Sequence, residues 1–477
     1  MAKYIEIPSY ISRQGGRLAI PLCDFLPCGV HVPWSSGSHS WSSCSPRQRF
    51  SPRQSQGAAA AGQGNAFAAQ ADDASAIHYN PSGLSQVHGV QLLSGTTLLG
   101  GSIKFKNPTG TDSRGDFGGS VAFPPPSYTY LSANLSSLGW DSLSRVTVGL
   151  GLITPYGLNT RYPENGPFNS AATFATLPLI DIKPTIAYKV NDQLAFGLSA
   201  DIYTFASFLG EGQVEQRSIS PPGGAIPAGT AIELNGKGTG AGFTASMLYT
   251  PFRNADGKPL ASVGLIYTSQ AALPLNGALL ANGVKVADSS TKLVLPQIYR
   301  GAVAVWPVRT GEREWKVEFD VEYVGWKANR NLDVQLSNGT TVPQPQQWKN
   351  VPVVAVGTEY KWLNPGWLPH WDVAVRSGYT RTENPTPDST FNPAIISLSS
   401  HTISLGAGFL CKGQGRFLGL VPCGGESPLW PKAIGFDVAF QEWLYEPRTV
   451  ARNPNATVNG NYHVYIHLGT VSLKLLF

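Results

Sequence analysis

Histidine and cysteine are the residue types in this chain whose positions are most suited to chemistry. Of eight histidines, His401, His463 and His467 lie near predicted strands, but no GxSxG or similar nucleophile motif accompanies them. A hydrolase needs a nucleophile that a neighbouring base activates. The sequence therefore predicts no enzyme.

The cysteines predict a structural role and no metal site. They are Cys23, Cys28, Cys44, Cys411 and Cys423, and no two of them form CxxC. A zinc site is therefore not expected, and no cofactor is predicted. Cys411 and Cys423 flank a Gly-rich segment and could form a disulfide in an oxidising compartment. The alternative is two free thiols.

Charge is scarce in this chain of 477 residues. Charged residues make up 14% of it, against roughly 25% in typical soluble domains. So few charges would hardly cover a large soluble protein, but they suit an outer face that meets lipid. The net charge of +5 is spread without a basic run, so nucleic acid is not a predicted partner. Lys349 and Arg381 are possible partners for a ligand carboxylate, although lone charges near strand ends usually face water.

A repeated strand-and-turn pattern predicts an all-β, membrane-spanning antiparallel barrel. The longest charge-free run, between Lys258 and Lys285, is interrupted by Pro274 and is no spanning helix. Backbone groups in lipid must be satisfied internally, which leaves a closed barrel. Fourteen strands, an even number, are predicted near 89–105, 123–137, 143–157, 173–190, 193–209, 235–251, 260–274, 291–307, 313–327, 349–362, 370–382, 400–411, 431–446 and 460–477.

The connections between these strands alternate in length. Tight turns are predicted at 190–193 and around Arg309, whereas segments such as 210–234 and 383–399 are long and polar. Short turns at one rim and long loops at the other are typical of outer-membrane barrels. The last predicted strand ends on Phe477, an aromatic terminus that resembles the signal read by the bacterial barrel-assembly machinery.

A segment rich in small residues precedes the first strand. Residues 62–84 are dominated by Ala, Gly and Ser, and Asp72 or Asp73 could cap a short helical turn that Asn80 and Pro81 end. The segment is too small to fold alone. Fourteen strands enclose a lumen wider than wall side chains can fill, so the segment could plug it.

The run GNAFAAQADDASAIHYNPSGL (64–84) resembles the hatch signature of the outer-membrane long-chain fatty acid and hydrocarbon transporters of FadL/TodX type. The AxADDAS and NPxGL blocks occur together at the family spacing, with Ser82 where the family usually has Ala. The resemblance covers residues 55–477. It implies hatch or gate roles for Phe67, Asp72, Asp73, Asn80, Pro81 and Ser82.

A second resemblance concerns the end of the third strand. Pro155, Tyr156 and Gly157 are similar to the family's segment at an inward kink, where a break in pairing opens the barrel wall. The alternative is a plain strand end before a loop.

The resemblance implies passive uptake of a hydrophobic small molecule, a fatty acid or an aromatic hydrocarbon, through the Gram-negative outer membrane. A hatch shift would release the cargo sideways into the membrane at the third strand. The expected partners are outer-membrane lipid, lipopolysaccharide and the assembly machinery, and the chain is expected to be a monomer. The rivals are a general diffusion porin for polar solutes, an outer-membrane lipid-modifying enzyme and a soluble all-β binding protein.

Three regions are expected along the chain. Residues 1–54 fail the test for a signal peptide and are predicted to be an atypical or disordered leader, or a misassigned start. Residues 55–87 form the hatch, and residues 88–477 form the barrel.

Overall fold

The computed structural model describes residues 55–117, 126–205, 212–425, 427 and 430–477. The predicted leader (1–54), with three of the cysteines, lies outside the described residues.

Fourteen antiparallel strands form the wall of the protein, as the sequence predicts. In chain order they are β1 Val90–Lys106, β2 Tyr128–Asn134, β3 Val146–Ile153 (continued as Gly157–Arg161), β4 Phe174–Lys189, β5 Leu194–Phe205, β6 Gly240–Arg253, β7 Pro259–Thr268, β8 Ile298–Arg309, β9 Arg313–Val324, β10 Val351–Leu363, β11 Trp371–Thr382, β12 Ser400–Lys412, β13 Ala433–Tyr445 and β14 Gly460–Leu476.

The sheet closes on itself. Each strand pairs with the next along the chain, and β14 pairs with β1 from Gln91 opposite Leu476 to Lys106 opposite Asn461. Closure satisfies the backbone groups that an open edge would leave unpaired in lipid. The predicted closed, fourteen-stranded barrel is therefore confirmed.

Two predicted strand boundaries are wrong. The strand predicted at 260–274 belongs to the wall only up to Thr268. The strand predicted at 291–307 belongs to the wall only from Ile298 onward. Between them, Ala271–Ala281 and Val284–Leu295 form a hairpin that pairs with the loop strand Ala231–Gly236. A loop hairpin has the same period of two as a wall strand, so the sequence pattern does not separate them.

Further short elements lie outside the wall ladder. The additional loop strands are Asp112–Asp116, Val214–Ile219, Val334–Leu336, Thr341–Val342, Arg416–Phe417, Val421–Pro422 and Arg448–Val450. The helices are α1 Ala58–Ala61 and α2 Ala76–Tyr79, and the 3-10 turns are Pro81–Gln86, Leu135–Leu138, Asp141–Leu143, Trp326–Ala328, Asp388–Thr390, Pro393–Ile395 and Ala456–Val458. Within the described ranges, no helix is long and apolar enough to cross a membrane.

The wall has an apolar outer face and a polar inner face, which β9 shows most clearly. Its outward side chains are half exposed and include Trp315, Phe319, Val321 and Tyr323. Its inward side chains are buried and ionisable, namely Glu314, Lys316, Glu318, Asp320 and Glu322. This alternation is the pattern of a barrel whose outside meets lipid and whose lumen is polar.

The two rims differ. Turns such as 190–193, 254–258 and 310–312 are short, whereas the loops at the opposite rim are long and carry most of the loop strands. One longer turn at the short-turn rim, between β12 and β13, contains the predicted bridge. Cys411 and Cys423 form a disulfide with their Cα atoms 5.6 Å apart.

Residues 55–87, the hatch, lie inside the barrel. The Ser55 hydroxyl donates to Gln441 of β13, the Ala58 amide donates to Ser472 of β14 and the Ala69 amide donates to Glu318 of β9. Strands on several sides of the lumen thus hold the segment, whose helical residues are almost all buried.

Glycines of the wall let the hatch come close to it. A Cβ atom built at Gly378 would lie under 3.0 Å from the backbone of Gln63 and Gly64, and one at Gly197 would meet Pro81 and Ser82 as closely. The hatch backbone therefore packs directly against the wall backbone at these positions.

We predict that Gly378→Val displaces the hatch while the barrel remains folded. Overpacking of this kind costs about 1–3 kcal/mol, so cleavage of residues 55–87 by added protease should be faster than in the unmodified protein. Gly469→Val is the control, because a Cβ there meets nothing within 4 Å. Equal protease sensitivity of the two variants would contradict the close packing.

Candidate functional site: the hatch, two cavities and a break in the wall

Side-chain amides and carboxylates hold the hatch in its shape. The Asp73 carboxylate accepts from the Ser75 amide (2.9 Å) and hydroxyl (2.6 Å) just before α2. The Asn80 side chain donates to the Ala68 carbonyl (2.7 Å) and accepts from the Ser82 hydroxyl (2.5 Å). The predicted hatch residues Asp73, Asn80 and Ser82 thus link successive turns of the segment.

The other predicted hatch residues lie at packing contacts within the hatch or between the hatch and the wall. Phe67 is fully buried and packs edge-on against Tyr79, with ring centroids 5.5 Å apart. Pro81 begins a 3-10 turn, and the Ser82 amide donates to Ser246 of β6 (2.9 Å). Asp72 lies 3.7 Å from the ammonium of Lys361.

An inward row of charged residues anchors the hatch to the wall, and sequence reasoning missed it. Glu318 accepts from the amides of Ala69 (2.6 Å) and Gln70 (3.2 Å), and its other neighbour is the Lys316 ammonium at 2.8 Å. The signal was present, because Glu314 to Glu322 alternates strictly between charged and apolar residues.

Below the hatch, towards the short-turn rim, lies a charged vestibule. Its space is about 860 Å³ including its open mouth, and its charged lining residues are Asp72, Asp73, Glu314, Glu359, Lys361, Asp372, Arg376, Asp437 and Lys474. Arg376 contacts both Glu359 and Asp437 at 2.6 Å, and Lys361 contacts Glu359 at 2.9 Å. Most of these charges are paired with one another across strands.

Above the hatch, towards the long-loop rim, lies the tryptophan cavity. It spans about 810 Å³ including open space, and its lining includes Asn65, Trp326, Trp348, Ile395, Ile396, Leu398, Trp443 and Tyr445. Trp326 and Trp348 pack edge-on with centroids 5.1 Å apart. The hatch separates this cavity from the vestibule, since Asn65 lines the former and Phe67 lines the latter.

A second apolar space, the leucine cavity, lies among the long loops. It spans about 880 Å³ including open space and is lined by residues such as Leu177, Val214, Leu234, Leu275, Leu293, Leu332, Val334 and Ile395. Ile395 borders both cavities. Concave spaces lined mainly by apolar side chains are typical of small-molecule binding sites.

The linings of the two cavities contain few charges. Glu383 is the only charged residue around the tryptophan cavity, and Glu215 is the only one around the leucine cavity, among the residues that the structure describes. Lys349 is exposed and lines neither. Arg381 also lies outside both linings and contacts Glu446 at 2.6 Å. The hydrogen bond that Arg381 donates holds the pKa of Glu446 below the usual range.

The ladder between β3 and β4 is interrupted next to the segment whose resemblance implies a kink. Pairing of β3 with β4 ends at Ile153 opposite Asp181 and resumes at Gly157 opposite Pro178, so three residues oppose two. Pro155, Tyr156 and Gly157 are buried, and Tyr156 packs against Tyr203 of β5 with centroids 6.0 Å apart. The break therefore interrupts the ladder on the side of β3 that faces β4.

Gln56 of the hatch, which the sequence did not single out, contacts the wall at the break in β3. The Gln56 side chain donates to the Thr154 carbonyl (2.9 Å) and accepts from the Thr154 amide (3.2 Å). One glutamine amide thus replaces the ladder partner that the break removes, and it joins the start of the hatch to the wall. Gln56 precedes the recognised motif, so no signal in the sequence singled it out.

Comparisons with known proteins agree with this architecture. The family model described as outer membrane protein transport protein (OMPP1/FadL/TodX) matches residues 51–415. The long-chain fatty acid transport protein of Salmonella typhi is 23% identical over 356 residues, which are 68% of this chain and 76% of that protein.

Solved structures show the same fold. A Pseudomonas aeruginosa FadL homologue has a TM-score of 0.66 at 17% identity, covering 90% of this chain and 99% of its own. The Ralstonia pickettii toluene transporter TbuX has a TM-score of 0.58 at 15% identity, covering 88% and 98%. The Pseudomonas putida toluene transporter TodX has a TM-score of 0.53 at 18% identity, covering 85% and 94%.

The family model covers well over half of the chain, and the barrel and hatch agree with it. This chain therefore belongs to the OMPP1/FadL/TodX family of outer-membrane β-barrels, which transport hydrophobic substrates and are not enzymes.

Proposed function

We propose that the protein takes up uncharged or protonated lipophiles passively and releases them sideways through the break in β3. One observation carries the proposal: the hatch lies between a charged vestibule and the tryptophan cavity, which adjoins the leucine cavity at Ile395. The long loops lie on the extracellular side and the short turns on the periplasmic side in barrels of this kind.

The apolar cavities are the proposed capture sites. Transfer of apolar surface from water contributes about 25 cal/mol per Å², so aromatic and branched side chains around Ile395 favour a lipophile. Among the described lining residues an ionised carboxylate would find no cationic partner, and it would be desolvated beside Glu383 or Glu215. The cavities therefore favour uncharged cargo over ionised fatty acids.

The charged vestibule makes the straight route through the lumen unfavourable for such cargo. A lipophile passing Lys361, Arg376 and Asp437 would separate paired charges without offering them hydrogen bonds. Exit through the wall leads into the apolar bilayer and avoids this cost. The hatch also fills the lumen with buried residues, which does not suit a diffusion porin.

Gln56 is the proposed link between the hatch and the exit. Because its amide satisfies both backbone groups of Thr154, a shift of the hatch would leave the break unpaired and loosen it. We propose this as the gate, with Pro155, Tyr156 and Gly157 as its wall side. We also propose that the chain is a monomer in contact with lipopolysaccharide. The barrel-assembly machinery would insert it through its terminal strand and Phe477.

We predict that fatty acid uptake depends on pH and that hydrocarbon uptake does not. A carboxylic acid with a pKa of about 4.3 is mostly ionised between about pH 6 and about pH 8. Its neutral fraction falls roughly tenfold for each unit by which the pH rises. Uptake of decanoic acid by a transporter-deficient strain carrying this chain should fall accordingly as the pH rises. Naphthalene uptake should stay constant.

The same strain without the chain gives the background for both compounds. Decanoate uptake that is independent of pH, or that increases with pH, would show that a cationic group receives the carboxylate. That result would contradict the preference for uncharged cargo.

We predict that Gln56→Ala loosens the gate. Loss of two buried hydrogen bonds costs about 2 kcal/mol, which shifts the closed and open populations by roughly tenfold or more. Hydrogen exchange at the Thr154 amide should accelerate, and the initial rate of naphthalene uptake should rise where opening limits transport.

Gln63→Ala is the matched control, because the Gln63 side chain donates only to Ala59 within the hatch. It should change neither measurement. Faster exchange at Thr154 with unchanged naphthalene uptake would show that opening of the break does not limit uptake, which would contradict its role as the gate.

A further inference from the structure

The turn between β12 and β13 folds into a small hairpin, the stapled hairpin, comprising residues 411–423. Arg416–Phe417 pairs with Val421–Pro422, and the Cys411–Cys423 disulfide closes the base. Leu418 (φ 52°) and Gly419 (φ 74°) lie at the tip. Phe417 pairs with Val421, so the tip comprises Leu418, Gly419 and Leu420. Two successive positive φ angles are typical of the tight turns that close β-hairpins.

This hairpin lies on the outer surface of the barrel. Cys411 belongs to the outward-facing series of β12, in which Leu405 is 59% exposed, yet Cys411 itself is 0% exposed. Its cross-strand neighbours are Trp371 of β11 and Ile434 of β13, and Ile434 is also buried. The hairpin therefore covers outward positions at the ends of neighbouring strands.

An aromatic contact also places the hairpin on the outer face of the wall. The Phe417 ring stacks on the Trp371 ring, with centroids 6.1 Å apart and planes 28° apart. Trp371 lies on the same face of β11 as the exposed Val375 and Tyr379, so it faces outward. The hairpin is thus attached to the face of the wall that meets lipid, at its periplasmic end.

The tip of the hairpin is apolar and exposed. Leu418 and Leu420 are each 78% exposed, and Trp367 of the neighbouring turn is 65% exposed. Large apolar side chains grouped in this way indicate an interaction surface. Because the hairpin lies on the outward face, its tip continues the apolar band formed by residues such as Leu405.

The charges around the hairpin suit a phosphate-bearing surface. Arg416 and Lys432 lie within or beside it, and Glu426 is the only acidic residue of the sequence between 411 and 432. Lys412 is paired with Asp372 of β11 at 2.8 Å. Arg416 is exposed next to Phe417. Basic residues beside tryptophan and leucine are typical of segments in a membrane interface.

We propose that the stapled hairpin inserts into the phospholipid headgroup region of the periplasmic leaflet and anchors this side of the barrel. The disulfide holds the tip at that depth by joining it to the end of β12. This role is independent of the proposed cargo route, which runs from the apolar cavities to the break in β3.

Photocrosslinking tests the proposal with the full chain in vesicles of phosphatidylethanolamine and phosphatidylglycerol. A benzophenone amino acid replaces Leu420, or Leu405 as the lipid-facing reference, or Asp256 as a reference in an exposed turn at the same rim. The phospholipid adduct at 420 should approach that at 405. It should exceed the adduct at 256 by about tenfold, since burial of a single leucine favours the apolar phase to at least this extent.

An adduct at position 420 no larger than at position 256 would overturn the proposal. So would attachment of the label at 420 to a protein, in place of phospholipid, in whole cells. The double variant C411S/C423S tests the staple: the adduct at 420 should fall several-fold, while the adduct at 405 shows that the barrel is inserted. An unchanged adduct at 420 would refute the role of the disulfide.

Discussion

The fold depends on one constraint, which is that no backbone N–H or C=O group can remain unpaired in lipid. The pairing of β1 with β14 meets it by removing the last free edges of the sheet. With the wall closed, each strand turns alternate residues to lipid and to the lumen. The inward residues of fourteen strands cannot fill so wide a lumen, so a segment from outside the ladder occupies it.

The hatch satisfies its own backbone through the wall, and this explains the charged residues inside the barrel. Helices of four residues and the turns between them leave many amides and carbonyls without partners in the segment. Gln441 donates to the Ala61 carbonyl of α1, and Glu318 accepts from the Ala69 amide in a turn. Gln56 does the reverse, because the hatch there supplies partners for the wall. The interior thus couples the position of the hatch to the integrity of β3.

The strands and the hatch could be predicted from sequence because both have local patterns. Strands have a period of two between turn residues, and the hatch has two compact motif blocks. The pairing of Gln56 with Thr154 could not be predicted, because the two residues are 98 positions apart and Gln56 belongs to no motif. The cavities meet at Ile395 from loops distant in sequence, so only the closed fold brings their linings together. Arg381, a possible partner for a ligand carboxylate, contacts a carboxylate of the protein itself, that of Glu446.

The central claim is that apolar cargo leaves the space above the hatch through the wall and not through the charged vestibule. An uncharged lipophile bearing a photoreactive diazirine, added to membranes containing the full chain, would mark its route by the residues it labels. We expect labelling around Ile395 and at Pro155 to Gly157, with none at Lys361 or Lys474. Labelling at the two lysines without labelling at the break would contradict it.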